Sequence, residues 1–297
     1  MIVPWRDRHG RFLKLKAAVL AAAFVPGAVW AWWWANGELG GRPVTEVIHG
    51  TGDWAIRCLL ISLAITPAAR VLDWPRLLLV RRMVGLTALA YAVAHLCLYV
   101  VDQKYRLDVV AVEIVLRFYL TIGFITLLGL GVLGTTSTDG WMRSMGRWWK
   151  RTHRAIYVLG AIALLHYFIQ SKSNVSEPVF FSGCFVWLML WRALPAAWQR
   201  SVAGQLAVTV AAACATAGIE FTWYALATGI NPWRVLAVNE GIRFGLRPAH
   251  YVALLGLGVT LVSLMRRHGG QFGVRSRLVP RPVMARNLPQ ARFNDVC

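Results

Sequence analysis

Stretches of about 20 mainly apolar residues recur along this chain of 297 residues, separated by loops that carry charge. A helix needs about 20 such residues to cross the hydrocarbon core of a bilayer. Eight stretches meet or nearly meet that length, at about 15–34, 54–72, 83–101, 114–134, 154–171, 178–194, 203–228 and 248–265. The sequence therefore predicts an all-α fold, a polytopic membrane helical bundle of about eight transmembrane helices.

The composition narrows the class of protein further. Hydrophobic residues make up 57% of the chain and charged residues only 15%, yet the net charge is +19. That apolar share exceeds the usual range of soluble domains. The basic residues are spread over many loops and form no single face, which argues against a nucleic-acid partner. The five cysteines form neither a CxxC motif nor a metal-ligand spacing, so we expect no iron–sulfur cluster and no disulfide framework.

The loop charges predict an orientation. Basic residues concentrate at the start of the chain and in every second loop: Arg6, Arg8, Arg11, Lys14 and Lys16; Arg70, Arg76, Arg81 and Arg82; Arg143, Arg147, Lys150 and Arg151; Arg192 and Arg200. The other loops carry the acids Glu38, Glu46, Asp102, Asp108, Glu113, Glu177 and Glu240. Because cytoplasmic loops are enriched in Lys and Arg, we predict that both termini are cytoplasmic.

Residues 266–297 form a tail rich in Arg and Pro, without hydrophobic periodicity. Such a composition is typical of disordered segments. The tail is too short to be a soluble flavin or nicotinamide domain. If the chain moves electrons, their donor must lie on another molecule.

Two histidines lie inside predicted helices at the same depth. His95 is about 12 residues, or 18 Å, from the cytoplasmic end of the third helix, and His166 is about 12 residues beyond Arg154 in the fifth. Ionisable side chains within a membrane are costly and are usually functional. Bis-histidine haem ligation requires imidazoles from two helices at equal depth, since a neutral nitrogen must reach the iron from each side. The alternative is a hydrogen bond between helices.

His153 lies about 20 Å lower than His166, at the cytoplasmic edge of the fifth helix. Its counterpart on the third helix would be Arg81 or Arg82. Arginine stays protonated and is a poor iron ligand, but it pairs well with a haem propionate or a flavin phosphate. We therefore predict a second cofactor site for which the sequence supplies one histidine ligand but no histidine opposite it. Residues 13 apart on a helix are rotated by about 220°, so the two histidines face different ways unless the helix is distorted. A solvated or headgroup-contacting His153 is the alternative.

His49 lies in the motif VIHGTGDW, which we assign to the first outer loop, just before the second helix. That position suits contact with a quinone or with a partner protein at the outer surface. The alternative is an ordinary loop or capping residue.

Four stretches of the sequence resemble one family. They are HGTGDWAIRCLLISLAITPAAR (49–70), RRMVGLTALAYAVAHL (81–96), RFYLTIGFITLLGLGVLGTTST (117–138) and MGRWWKRTHRAIYVLGAIALLHY (145–167). Together they resemble the MsrQ (YedZ) family, the haem-binding membrane subunit of the periplasmic methionine-sulfoxide reductase system. The wider similarity is to ferric-reductase-like transmembrane domains.

The resemblance implies a b-type cytochrome of the bacterial inner membrane, the electron-transfer subunit of an oxidoreductase. Such a subunit takes electrons from the quinol pool, or from a cytosolic flavin reductase. It passes them to a soluble periplasmic molybdopterin-containing methionine-sulfoxide reductase. By the same resemblance, His95 and His166 ligate one haem b, and His153 with Arg81 and Arg82 serves a second cofactor. FMN is implied by the resemblance alone, because the sequence has no flavin motif.

The chain departs from this family at its C-terminal end. The resemblance covers about residues 17–195, and family members typically stop after six helices. We therefore divide the chain into a six-helix haem-binding core (1–195), a two-helix membrane extension (196–265) and the basic tail (266–297). We expect the extension to be peripheral to the core.

Other functions stay open on sequence alone. One is a stand-alone ferric-reductase-like cytochrome b that reduces an extracellular acceptor such as ferric iron. Another is a haem-free transporter or channel whose histidines relay protons. A third is a membrane scaffold without a cofactor. The cytochromes predict bound haem, whereas the transporter predicts solute flux and the scaffold predicts neither.

Overall fold

The computed structural model describes residues 12–171, 174–241 and 245–274, with side chains as far as residue 267. The helices are α1 (Lys14–Ala35), α2 (Pro43–Val71), a 3₁₀ helix (Pro75–Leu79), α3 (Arg81–Asp102), α4 (Leu107–Leu116), α5 (Phe118–Thr135), α6 (Asp139–Met145), α7 (Arg147–His153), α8 (Ala155–Ser171), α9 (Ser176–Ala193), α10 (Ala196–Arg200), α11 (Val202–Ala227), α12 (Pro232–Asn239) and α13 (Pro248–Val274). Arg6, Arg8 and Arg11 lie outside the described residues, as does the predicted tail from residue 275 onward.

Among the described residues, seven helical segments are long and apolar enough to cross a membrane. They are Lys14–Ala35, Pro43–Val71, Arg81–Asp102, Phe118–Thr135, Arg147–Ser171, Val202–Ala227 and Pro248–Arg267. The chain is thus an all-helical polytopic membrane protein with seven candidate spans. The predicted span 178–194 is present as helix α9, but its 18 residues include Glu177 and Arg192, which lower its mean hydropathy. A count of eight spans is not confirmed.

The second helix begins earlier than the sequence predicts. We expected it at residue 54, but α2 begins at Pro43, which occupies the first helical turn together with Glu46. Proline is tolerated there because its missing N–H would have no helical partner, and an acid in the first turn complements the helix dipole. Hydropathy does not predict this start, because the residues between 43 and 54 include many polar ones.

The predicted fourth helix, 114–134, is two helices in the structure. Arg117 is extended (φ −100°, ψ 105°) and separates α4 from α5. The predicted fifth helix, 154–171, is present as α8, and Arg154 separates it from α7, so His153 ends α7 and His166 lies in α8. Both breaks matter because they border the segments that carry the candidate site.

The larger of the two hydrophobic clusters among the described residues spans most of the bundle. Its buried members include Leu63 of α2, Ala88 of α3 and Trp187 of α9. The extension contributes to the same cluster through Ala212 of α11 and Val252 of α13. The extension therefore contributes buried residues to the same core, mainly through its contacts with α9.

A polar contact also joins the extension to α2, and others hold the extension together. The Arg70 guanidinium donates to Oε1 of Gln199 (2.6 Å). The Gln205 side chain, which is 1% exposed, donates to the Gln199 carbonyl (3.0 Å) and to Ser263 Oγ (3.2 Å). Because buried polar groups are costly when unpaired, these bonds stabilise one packing of α10, α11 and α13 against α2. The last helix continues to Val274, past the boundary at 265 drawn from the sequence.

Candidate cofactor site between His95 and His166

A cavity of about 410 Å³ lies between α2, α3, α5 and α8, towards the end of the bundle where α3 finishes at Asp102 (the Asp102 end). This volume is typical of small-molecule and cofactor sites. Apolar side chains form much of the wall, among them Ile56, Leu59, Leu96, Phe124, Leu127 and Leu130. The polar side chains on the wall include His95, His166, His49, Asp53, Tyr99, Tyr119 and Tyr167. The structure thus brings both predicted membrane histidines to one cavity.

The imidazoles of His95 and His166 face one another across helices α3 and α8. Their ring centroids are 6.4 Å apart and their planes are 88° apart. An imidazole nitrogen binds a metal at about 2 Å and lies about 1.2 Å from its ring centroid, so two imidazoles on opposite sides of one metal have centroids roughly 6–6.5 Å apart. The observed separation therefore fits a single metal held between the two rings.

Backbone carbonyls fix which nitrogen of each ring is free. Nδ1 of His95 lies 2.8 Å from the carbonyl oxygen of Ile48, and Nδ1 of His166 lies 2.7 Å from that of Tyr119. A carbonyl oxygen only accepts, so each Nδ1 must carry the proton and each Nε2 presents a lone pair. No other hydrogen-bond partner of these rings occurs among the described residues. Neutral imidazoles oriented in this way are ready-made metal ligands.

A hydrogen-bonded chain of side chains borders the cavity beside His166. The Tyr99 hydroxyl of α3 donates to Glu113 of α4. Arg117 donates to Glu113 (2.7 Å) and to the Tyr119 hydroxyl (3.3 Å). The Tyr119 ring stacks on His166, with centroids 6.5 Å apart and planes 26° apart. These hydrogen bonds therefore link α3, α4 and α5 at the point where α4 ends and α5 begins.

A second polar group lies on the other side of the cavity. The Tyr167 hydroxyl donates to Glu177 (2.7 Å), and Glu177 is paired with Arg57 (3.4 Å). The Arg57 guanidinium lies over the rings of Trp54 and Phe181. This group ties α2, α8 and α9 together beside the two imidazoles.

His153 is not brought into this cavity. Its Nδ1 lies 3.1 Å from the Trp149 carbonyl and its Nε2 lies 3.3 Å from Ser137 Oγ, while its ring stacks on Trp149 at 3.9 Å. Both ring nitrogens are therefore engaged. Of the two arginines predicted to accompany His153, Arg82 forms an ion pair with Asp139 (2.9 Å). The side chain of Arg81 is exposed at the start of α3.

His49 differs from the expectation in one respect. It was assigned to a loop before the second helix, but it lies in the second turn of α2. It lines the cavity and is exposed. The early start of α2 explains the error and leaves His49 one residue from Ile48, whose carbonyl accepts from His95.

Sequence reasoning missed four residues that contact the imidazoles. Two are the carbonyl acceptors, Ile48 and Tyr119. The others are Gly52 and Gly123, which line the cavity directly against the rings. A carbonyl acceptor leaves no mark in a sequence, because every residue has one. The glycines were visible in the motifs HGTGDW and YLTIGF, but nothing in the sequence pairs them with a particular histidine.

Comparisons with known proteins agree with the predicted resemblance. The family described as "Ferric reductase like transmembrane component" matches residues 51–164, a range that contains His95 and ends just before His166. The relatives are curated proteins called "Protein-methionine-sulfoxide reductase heme-binding subunit MsrQ". The one from Caulobacter vibrioides is 42% identical over 176 residues, 59% of this chain and 84% of the relative.

Two further relatives of that description come from Xanthomonas. The protein from Xanthomonas oryzae is 43% identical over 185 residues, 60% of this chain and 85% of the relative. The protein from Xanthomonas axonopodis is 41% identical over 200 residues, 65% of this chain and 90% of the relative. No solved structure matches the chain. The relatives are thus covered over most of their length, while between 35% and 41% of this chain lies outside each alignment.

Proposed function

Since this chain belongs to the MsrQ family of protein-methionine-sulfoxide reductase heme-binding subunits, we propose that it binds haem b between His95 and His166 and delivers electrons to a methionine-sulfoxide reductase catalytic subunit. The observation that supports this most directly is the 6.4 Å separation of the two ring centroids. When bound, the haem supplies reversible one-electron transfer.

The chain's own contribution is to bind, orient and exclude water. His95 and His166 would hold the metal through Nε2, because each Nδ1–H is committed to a carbonyl. The hydrogen bond at Nδ1 fixes the tautomer of each ring and makes its Nε2 a better ligand. The apolar wall, which includes Leu59, Phe124 and Leu130, keeps the local dielectric low.

The external partners in this proposal follow from the family. The reductant would be the quinol pool or a cytosolic flavin reductase, and the acceptor a soluble periplasmic molybdopterin-containing subunit. We propose a multi-pass protein of the bacterial inner membrane with both termini cytoplasmic and the Asp102 end periplasmic. Basic residues are denser at the opposite end, with Arg70, Arg76, Arg81 and Arg82 around one loop against Lys104 and Arg106 after α3, and this supports the orientation. His49 would then lie where a quinone or the partner could reach the cavity.

A second cofactor site, for another haem or for FMN, would lie at the opposite end. It would use His153, with Arg81 and Arg82 available for a propionate or a phosphate. Ligation would require His153 to give up its contact with Ser137, which at 3.3 Å is the longer of its two. We propose this site as one that forms only with a cofactor present.

We also propose that α9 crosses the membrane, which gives eight spans: a six-helix core, residues 1–195, and a two-helix extension, residues 196–265. The support is the position of α9 in the bundle. It packs against α2, α8, α11 and α13, each of which lies within a candidate span.

The test is spectroscopic. The full-length protein is purified in mild detergent from a host with ample haem, and oxidised and dithionite-reduced spectra are recorded with a pyridine haemochrome assay. We expect a b-type spectrum that is lost in His95→Ala and in His166→Ala. His153→Ala removes only the ligand of the second cofactor site, so it should keep the spectrum of the haem between His95 and His166. A colourless wild-type protein, or an unchanged spectrum in His95→Ala, would refute the proposal.

The runner-up is a stand-alone ferric-reductase-like cytochrome b, which the family match at residues 51–164 favours. This function predicts the same spectra, so the two functions must be distinguished by which electron acceptor reoxidises the reduced protein. If the reduced protein is reoxidised by ferric chelates but never by a co-expressed molybdopterin subunit, the stand-alone function is correct. Rapid reoxidation by that subunit with methionine sulfoxide present supports the family function.

A further inference from the structure

The two halves of the site are built on the same pattern. His95 bonds to the carbonyl of Ile48, and Gly52 follows four residues later on α2. His166 bonds to the carbonyl of Tyr119, and Gly123 follows four residues later on α5. Residues four apart lie on one face of a helix, about one turn from each other. A ring that reaches the first carbonyl must therefore lie over the fourth residue beyond it.

The imidazole leaves almost no space for a side chain at that fourth residue. A Cβ atom on Gly52 would lie 3.1 Å from Nδ1 and 3.2 Å from Cε1 of His95. A Cβ atom on Gly123 would lie 2.8 Å from Cε1 and 2.9 Å from Nδ1 of His166. Carbon atoms in contact prefer about 3.5–4.0 Å. Any other residue would therefore push the ring away from its carbonyl.

These contacts differ from those of ordinary packing glycines. A Cβ on Gly129 would meet the terminal methyl groups of Leu159, which can turn aside. The imidazoles cannot turn aside without losing the hydrogen bond that fixes their tautomer. His166 is confined further, because Tyr119 stacks against its ring. The geometry thus constrains His166 more than His95.

We propose that Gly52 and Gly123 are positioning residues, each of which seats one imidazole so that the two rings stay nearly perpendicular, and that this orientation sets the electronic properties of the haem bound between them. The inference rests on the proposed function. Perpendicular axial imidazoles leave two iron d orbitals nearly equal in energy, which gives oxidised low-spin haem one unusually large g value. Parallel imidazoles give a three-line rhombic signal instead.

The experiment compares Gly123→Ala and Gly52→Ala with Gly131→Ala in the full-length, haem-loaded protein. Gly131 is the matched control, since it lies on the same helix as Gly123 and a Cβ there would meet no atom within 4 Å. The readouts are the electron paramagnetic resonance spectrum and the midpoint potential. We expect the large g value in the wild type and in Gly131→Ala, a clear decrease in Gly123→Ala and a smaller one in Gly52→Ala.

The outcomes separate the two proposals. A wild-type protein that binds no haem refutes the proposed function. If the wild type binds haem while Gly123→Ala and Gly52→Ala are both indistinguishable from Gly131→Ala, that result refutes only the positioning role of the two glycines. If Gly123→Ala does not accumulate as folded protein, Gly52→Ala decides by the same comparison, because its overlap is the milder.

Discussion

Arg192 of α9 donates a hydrogen bond to the carbonyl of Leu63 in α2, the one carbonyl that Pro67 leaves without its helical donor. A proline has no N–H, so the carbonyl four residues before it loses its partner. In a membrane an unpaired carbonyl is especially costly. Arg192 also donates to the Leu188 carbonyl of its own helix (2.8 Å). The guanidinium therefore replaces a hydrogen bond that is missing inside another helix.

This relationship predicts non-additive effects of mutation. Arg192→Met should lower the free energy of unfolding by about 1–3 kcal/mol, because the Leu63 carbonyl then has no donor. Pro67→Ala restores an N–H for that carbonyl. In a Pro67→Ala background the same Arg192→Met change should therefore cost at least about 1 kcal/mol less. Denaturation in mixed micelles gives the free energy of unfolding of the wild type, the two single variants and the double variant. Additive effects would show that Arg192 does not serve Leu63.

The ion pair in the extension predicts a strong effect at a position far from the cavity. Glu220 is 1% exposed, is paired with Arg247, and accepts from Asn239 (2.9 Å). Glu220→Gln should lower the free energy of unfolding by about 3 kcal/mol, because it leaves the Arg247 charge uncompensated. Asp108→Asn is the control, since that carboxylate is 71% exposed in its pair with Arg106 and should contribute nothing measurable. Equal stability of the two variants would contradict the prediction.

The chain of bonds beside His166 predicts a local effect on α4. Glu113 joins Tyr99 of α3 to Arg117, and of the described residues of α4 only Val110 is buried. Glu113→Ala should loosen α4 by about 1 kcal/mol, which corresponds to roughly fivefold faster amide exchange. Hydrogen–deuterium exchange with mass spectrometry measures this peptide by peptide. Unchanged exchange in residues 107–116 would show that the apolar contacts alone hold α4.

The proposed eight-span topology predicts which side of the membrane each end of α9 faces. Single cysteines at Asn174 and Trp198, in a variant without the five native cysteines, flank this helix. A membrane-impermeant maleimide applied to intact cells should label position 174 and not position 198, which becomes labelled after lysis. Labelling of both positions in intact cells would mean that α9 does not cross.

The helices and the matched depth of the two histidines could be predicted from sequence because both depend on local, regular properties. A rise of 1.5 Å per residue is sufficient to place His95 and His166 at one level, and the structure brings them together. The early start of α2 and the break at Arg117 could not be predicted from hydropathy. Each depends on a backbone conformation rather than on the apolar content of a 20-residue window.

The surroundings of the two histidines could not be predicted, because they depend on how helices pack. The acceptor carbonyl of Ile48 is chemically identical to every other carbonyl in the chain. The close approach of Gly123 to His166 is a property of two helices, not of either one. The extension was expected to be peripheral for a similar reason. The sequence identifies α11 as apolar but does not reveal that Ala212 is completely buried against the core.

The carbonyl bonds to His95 and His166 have a consequence for tolerance to mutation. The acceptors are main-chain atoms of Ile48 and Tyr119. Every residue carries a backbone carbonyl, so no substitution at position 48 or 119 removes the acceptor. The tautomer of each imidazole is therefore protected against point mutation at its acceptor and is exposed only to changes that move the backbone of α2 or α5.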